Sequence, residues 1–145
     1  RASFAQNSAN YKTRLADLDQ KFQSIVDNSS RRTLVFGDRF PLRYFVDDYN
    51  LEYFAAFPGC SEQNEASSKT ISYLVNKIKT EEIPVVLKIE LTSDDIAQTI
   101  ANETGTKVLV FSAAHNISAE DFENGRTYAD IMEANLAVLE EALNE

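Results

Sequence analysis

A chain of 145 residues can bury one real core, and 43% hydrophobic against 26% charged residues excludes a disordered polymer. The formal net charge of −9 repels phosphate backbones, so no nucleic-acid partner is expected. The single cysteine, Cys60, excludes an internal disulfide, and the single histidine, His115, excludes a histidine-rich metal site built from this chain alone.

Tyr11, Leu15, Leu18, Phe22, Ile25 and Val26 recur at alternating spacings of four and three, which predicts a long amphipathic helix from Ala5 to Val26. It should stop at Asn28-Ser29-Ser30, and its length suits a connector. Residues 1–30 are therefore assigned to a connector helix and 31–145 to one α/β lobe. Thr33 to Phe36 reads as a short apolar strand ending at Gly37-Asp38. Phe40 to Asp48 reads as a helix with Pro41 in its first turn. Leu51 to Phe57 is a second strand stopped by Pro58-Gly59, and Ser67 to Lys79 a helix. Pro84 to Ile89 is the third strand. Thr92, with Asp95 three residues on, predicts a capping box for a helix ending near Gly105. Lys107 to Phe111 is the fourth strand. The last helix, Thr127 to Leu143, should bury Tyr128, Ile131, Met132, Leu136, Leu139 and Leu143.

Strands alternating with helices predict a three-layer α/β fold. A mainly parallel four-stranded sheet carries helices on both faces, after the long connector helix. No apolar run reaches the ~18 residues of a membrane span. Arg1 to Asn7 leads into a polar amphipathic pattern rather than a signal peptide, and the compartment stays open at this level.

In open α/β sheets, ligands bind beyond the carboxyl ends of the strands. Those ends are Asp38, Pro58-Gly59-Cys60, Glu90, and Ser112 to His115. Oxygen and nitrogen donors converging there suit a divalent transition metal. Plainer roles stand beside each: Asp38 as a helix cap, Glu90 as a carboxylate satisfied by backbone amides, His115 as a hydrogen-bonded structural residue. Two enzyme classes are excluded on residues. Val35-Phe36-Gly37-Asp38 resembles the opening block of GDSL-type esterases, but Arg39 stands where the nucleophilic serine should be and no Asp-x-x-His pair follows. An aspartyl phosphotransfer site would need a second acidic residue where Phe40 stands. No enzyme and no catalytic cofactor are expected.

Three blocks carry a family likeness: LVFGDRFPLRYFVDDYNLEYFAAFPGCSEQNEAS (34–67), IPVVLKIELTSDDIAQTIANETGTKVLVF (83–111) and TYADIMEANLAVLEEAL (127–143). In order and spacing the chain resembles the substrate-binding proteins of zinc- and manganese-type ABC importers. The resemblance implies two α/β lobes joined by one long helix, with the metal held between them. This chain would supply the connector and the C-terminal lobe, and the histidines of an N-terminal lobe would lie upstream of Arg1. The implied cargo is Zn2+ or Mn2+, the implied partner an ABC permease. The implied location is extracytoplasmic, periplasmic or lipid-anchored at the cell surface. The ligand at the end of the lobe's first strand falls on Asp38. The aspartate at the end of the last strand falls on Ser112, within the run Ser112-Ala113-Ala114-His115-Asn116, so His115 becomes the second expected ligand. Glu90 matches a cleft glutamate near the metal, and Arg39 and Ser112 complete the expected lining. Two alternatives stay open: a lobe of this architecture for a non-metal ligand, and a surface structural or adhesion protein that has lost its metal.

Overall fold

The computed structural model describes residues 2–57 and 66–144. Its elements are α1 (Ala2–Asn28), β1 (Thr33–Arg39), α2 (Arg43–Asp48), β2 (Glu52–Phe57), α3 (Ser68–Glu81), β3 (Val85–Lys88), α4 (Asp95–Thr104), β4 (Lys107–Val110), α5 (Ala119–Glu123) and α6 (Tyr128–Asn144). The four strands form one sheet in the order β2-β1-β3-β4, and every pairing is parallel. Cys60 and its neighbours Pro58 and Gly59 lie outside the described residues.

Strand alternation divides the core between the two faces. Leu34, Phe36, Val85 and Leu87 point to one side, where they pack with Phe22 and Val26 of α1, Val46 of α2 and Leu139 and Leu143 of α6. Val35 and Val86 point to the other, against Leu74 and Ile78 of α3 and Ala97 and Ile100 of α4. The central strands β1 and β3 are buried on both faces, which is why they read as continuous apolar runs. On β1 the close packing depends on Gly37. A Cβ there would stand 2.5 Å from the Cα of Ala97, so α4 can lie this near only over a glycine.

Several elements differ from expectation for identifiable reasons. Helix α2 begins at Arg43, not Phe40, because the residue before a proline is pushed out of the α region and Phe40 precedes Pro41. Phe40 is instead a buried core ring stacked on Tyr53. The Thr92 capping box does not form: the N-cap of α4 is Asp94, without a side-chain bond, and the Thr92 hydroxyl turns to Asp38. Gly105 does end α4, at φ 76°. The short helix α5, capped by Ser118, was not expected. Tyr128 and Tyr11 are about half-exposed, so the buried stripes of α6 and α1 stop short of them. A true capping box opens α6, with Thr127 Oγ1 accepting from the Asp130 amide (3.3 Å) while Asp130 Oδ2 accepts from the Thr127 amide (2.8 Å).

Candidate metal centre

Asp38 sits where the β1–β2 register shifts, between Phe36 and Arg39. Such an irregularity re-aims a side chain, a common device beside functional sites. The residue is only 5% exposed. Its Oδ1 accepts from the Arg39 amide (2.7 Å) and its Oδ2 from the Ile89 amide (3.1 Å). The Thr92 hydroxyl stands between Oδ2 and the Ile89 carbonyl, with one proton to share. Arg39 Nε lies 3.8 Å from Oδ1 and has no hydrogen-bond partner. A carboxylate offers about four acceptor positions. Three are filled here, so Asp38 keeps one oxygen position, beside a cation.

Glu90, at the end of β3, is satisfied by backbone amides, the plainer of its two expected roles. Oε2 accepts from Ala113 (2.7 Å), and Oε1 from His115 (3.0 Å) and Asn116 (3.2 Å). The carboxylate thereby grips the loop that follows β4. His115 is exposed, and its Nδ1 lies 3.2 Å from the Asn116 amide nitrogen. In that pairing Nδ1 accepts and Nε2 carries the proton. For Nε2 to ligate a metal, the Asn116 amide must turn its oxygen to the ring. Ser112 spends its hydroxyl on the Ala114 amide (3.1 Å).

The rim divides into two cavities. One of about 350 Å3 is lined by Gly37, Asp38, Arg39, Thr92, Ser93 and Asp95, among others. The other, of about 310 Å3, is lined by Glu90, Ser112, Asn116, Arg126 and Asn135 and floored by apolar residues of α6. Leu91 lines both and is well exposed. Its φ is +55°, and that of Ala114 is +53°. Left-handed backbone at such residues costs on the order of 1–3 kcal/mol and persists only where surrounding contacts impose it. The Lys88 ammonium on the Thr92 carbonyl (2.7 Å) and the Glu90 bonds to both sides of Ala114 are those contacts. Among the described residues no three His, Cys, Asp or Glu side chains gather closely enough to hold one metal ion.

A family model described as the zinc-uptake complex component A, periplasmic (ZnuA), matches residues 1–142. The chain belongs to the ZnuA family. Among its relatives, the high-affinity zinc uptake system protein ZnuA of Bacillus subtilis is 26% identical over 140 residues, which is 97% of this chain and 43% of that protein. The Zn(II)-bound ZnuA-like domain of Streptococcus pneumoniae AdcA superposes with a TM-score of 0.79 at 26% identity, covering 99% of this chain and 53% of the other. The metal-dependent lipoprotein YcdH of Bacillus subtilis does so with 0.81 at 26% identity, covering 97% and 52%. The chain thus spans about half the length of these solved relatives. Membership confirms the resemblance read from the three sequence blocks, and the superpositions confirm the α/β fold with its parallel sheet.

Within this ZnuA-family chain, the sequence pattern put Asp38, Glu90, Ser112 and His115 on one rim but did not single out Asn135. That residue is buried on α6, with Oδ1 accepting from the Ser112 amide (2.9 Å) and Nδ2 donating to the Ser112 carbonyl (2.8 Å). The signal was present: Ile131, Asn135 and Leu139 share a spacing of four on the buried face, and the middle one is polar.

Proposed function

We propose that the chain is the C-terminal, metal-capturing half of an extracytoplasmic binding protein that collects Zn2+ and passes it to an ABC permease, without catalysis. The observation that carries this reading is an incomplete donor set in a ZnuA-family lobe. Two strand-end carboxylates and the only imidazole share the sheet's carboxyl rim, yet no three donors close on one ion among the described residues. A site divided between two lobes accounts for both facts, since metal affinity falls with each absent ligand. Residues 1–30 then act as connector. Residues 3–13 of α1 are exposed on every side, which suits a helix whose first turns pack on the other half. The zinc-binding relatives favour Zn2+ over Mn2+ as cargo.

In this reading Asp38 is the first ligand, through its one free oxygen position, and His115 the second. Glu90 holds the loop that carries His115, as outer-shell carboxylates do around metals. Arg39 beside Asp38 sets a counter-charge against that carboxylate. Metal titration tests the assignment. In the full-length protein, stoichiometric Zn2+ should raise the melting temperature and Mg2+ should not. The 145-residue chain alone should bind Zn2+ weakly, with water completing the shell. Sub-micromolar binding by the chain alone would refute the divided site, and indifference of the full-length protein to Zn2+ would refute the cargo.

A further inference from the structure

Among the described residues strand β4 is an edge strand, paired only with β3. The ladder ends with the Phe111 amide donating to the Lys88 carbonyl (2.9 Å), and residues 112–116 then leave the sheet. Five consecutive backbone N–H groups follow, and each donates to a side-chain oxygen. Ser112 donates to Asn135, Ala113 to Glu90, Ala114 to Ser112 Oγ, and His115 and Asn116 to Glu90. A loop normally draws its shape from backbone bonds within a turn. This one draws it from three side chains, of which only Asn135 reaches it from another layer of the fold.

Asn135 bonds both the N–H and the C=O of Ser112, so its amide replaces the missing neighbouring strand for one residue. The carboxamide is nearly inaccessible to water, and its nitrogen also lies 3.5 Å from Met132 Sδ. A buried donor and acceptor matched to one backbone unit define position and orientation together. Everything downstream hangs from that point: Ser112 Oγ caps the left-handed Ala114, and the next two amides meet Glu90.

We infer that Asn135 is a positioning residue of the metal rim, whose amide sets the 112–116 loop and thereby where the His115 imidazole stands. The metal part of this inference rests on the zinc-capture reading above, while the loop part stands on hydrogen bonds alone.

Two measurements on the full-length protein test it, with Asn135→Ala and the isosteric Asn135→Asp. The aspartate keeps the acceptor for the Ser112 amide but sets an oxygen against its carbonyl, and serves if the alanine variant does not fold. The first measurement is metal-free amide hydrogen exchange. Exchange at residues 112–116 should accelerate by about tenfold or more in either folded variant, with the β1 and β3 amides unchanged. Equal exchange in variant and parent overturns the inference. The second is Zn2+ titration in a double-mutant cycle with His115→Ala. An Asn135 variant should weaken Zn2+ binding by about tenfold beside His115, and by less than about twofold once His115 is alanine. An undiminished loss in the His115→Ala background also overturns it, because Asn135 would then act on stability or on another ligand. If His115→Ala by itself leaves Zn2+ affinity unchanged, the ligand assignment fails, and the exchange result still decides whether Asn135 holds the loop.

Discussion

Asp38 ends a central strand and is held mainly by backbone, whereas Ser112 to His115 follow an edge strand and are held by side chains. At Asp38 the Ile89 amide arrives from the end of the neighbouring strand, and Thr92 arrives on the turn that β3 feeds. At Ser112 no strand among the described residues stands on the outer side, so Asn135 takes its place, while Glu90 beyond the end of β3 holds the next amide from the inner side. The difference has a physical cause. A ladder supplies donors at fixed spacing to any side chain at the end of an inner strand, but half of those groups are missing at an edge. One half of the rim is therefore as rigid as the sheet, and the other is as rigid as the side chains that hold it.

The largest expected effect breaks the backbone-held half. Asp38→Ala should weaken Zn2+ binding of the full-length protein by about ten- to a hundredfold. It should also cost about 2–4 kcal/mol of stability, because the buried Ile89 amide loses its acceptor and Arg39 its counter-ion. Calorimetry and urea unfolding separate the two. A stability loss with unchanged affinity would make Asp38 a structural acceptor only. Asp38→Asn keeps the shape and should lose affinity out of proportion to stability.

Gly37→Ala tests the same half from beneath. The new Cβ would overlap the backbone of Ala97, so α4 must shift, at a cost of about 1–3 kcal/mol read from the urea midpoint. The Thr92 contact should loosen with it, while the 112–116 loop stays as it was.

On the side-chain-held half, Glu90→Gln sets an amide NH2 against one of three backbone donors. It should cost about 1–2 kcal/mol. Proteolytic or amide-exchange probes should show residues 113–116 opening, with Ala114 released from its left-handed conformation. Retained protection there would mean that Asn135 alone suffices.

The smallest effect concerns the footing of α6, which carries Asn135. Asp130 is lowered from 3.8 to about 2, chiefly by the Thr127 hydroxyl, then by the Thr127 amide and Arg14. A carboxyl lowered in the folded state contributes stability above its unfolded value, and that contribution is lost as pH falls from 3.8 toward about 2. Melting temperature measured across that window should fall less steeply in Asp130→Asn than in the parent. Because this carboxylate is well exposed, the difference should be modest and should shrink with added salt.

Much of the fold was legible because it is written in short-range patterns. The stripe of Leu18, Phe22 and Val26, the apolar runs of β1 and β3 and the Gly105 stop each sit within one element, and the structure places all of them as expected. The family was legible for a different reason. Three long blocks in the right order are more specific than any one motif, and the match over residues 1–142 bears that out.

Local reasoning failed where two local rules competed. Pro41 fits a first helical turn, but it also excludes Phe40 from the helix, and the second effect prevailed because the Phe40 ring found a place in the core. Thr92 and Asp95 have capping-box spacing. The buried carboxylate of Asp38 instead offered the hydroxyl a partner more costly to leave unmet than an exposed helix end.

The candidate site divides along the same line. Strand ends follow from periodicity, so the sequence by itself placed Asp38, Glu90, Ser112 and His115 on one rim. Only tertiary structure decided how each is used. Asp38 has one oxygen position left because an amide 51 residues away bonds it, and Glu90 grips a loop because amides 23 to 26 residues on converge there. Asn135 faces Ser112, across 23 residues, because α6 covers the sheet face of β1 and β3 and reaches from there to the loop that follows β4. Such partners are set by which layer covers which strand, and no spacing within a single element encodes that.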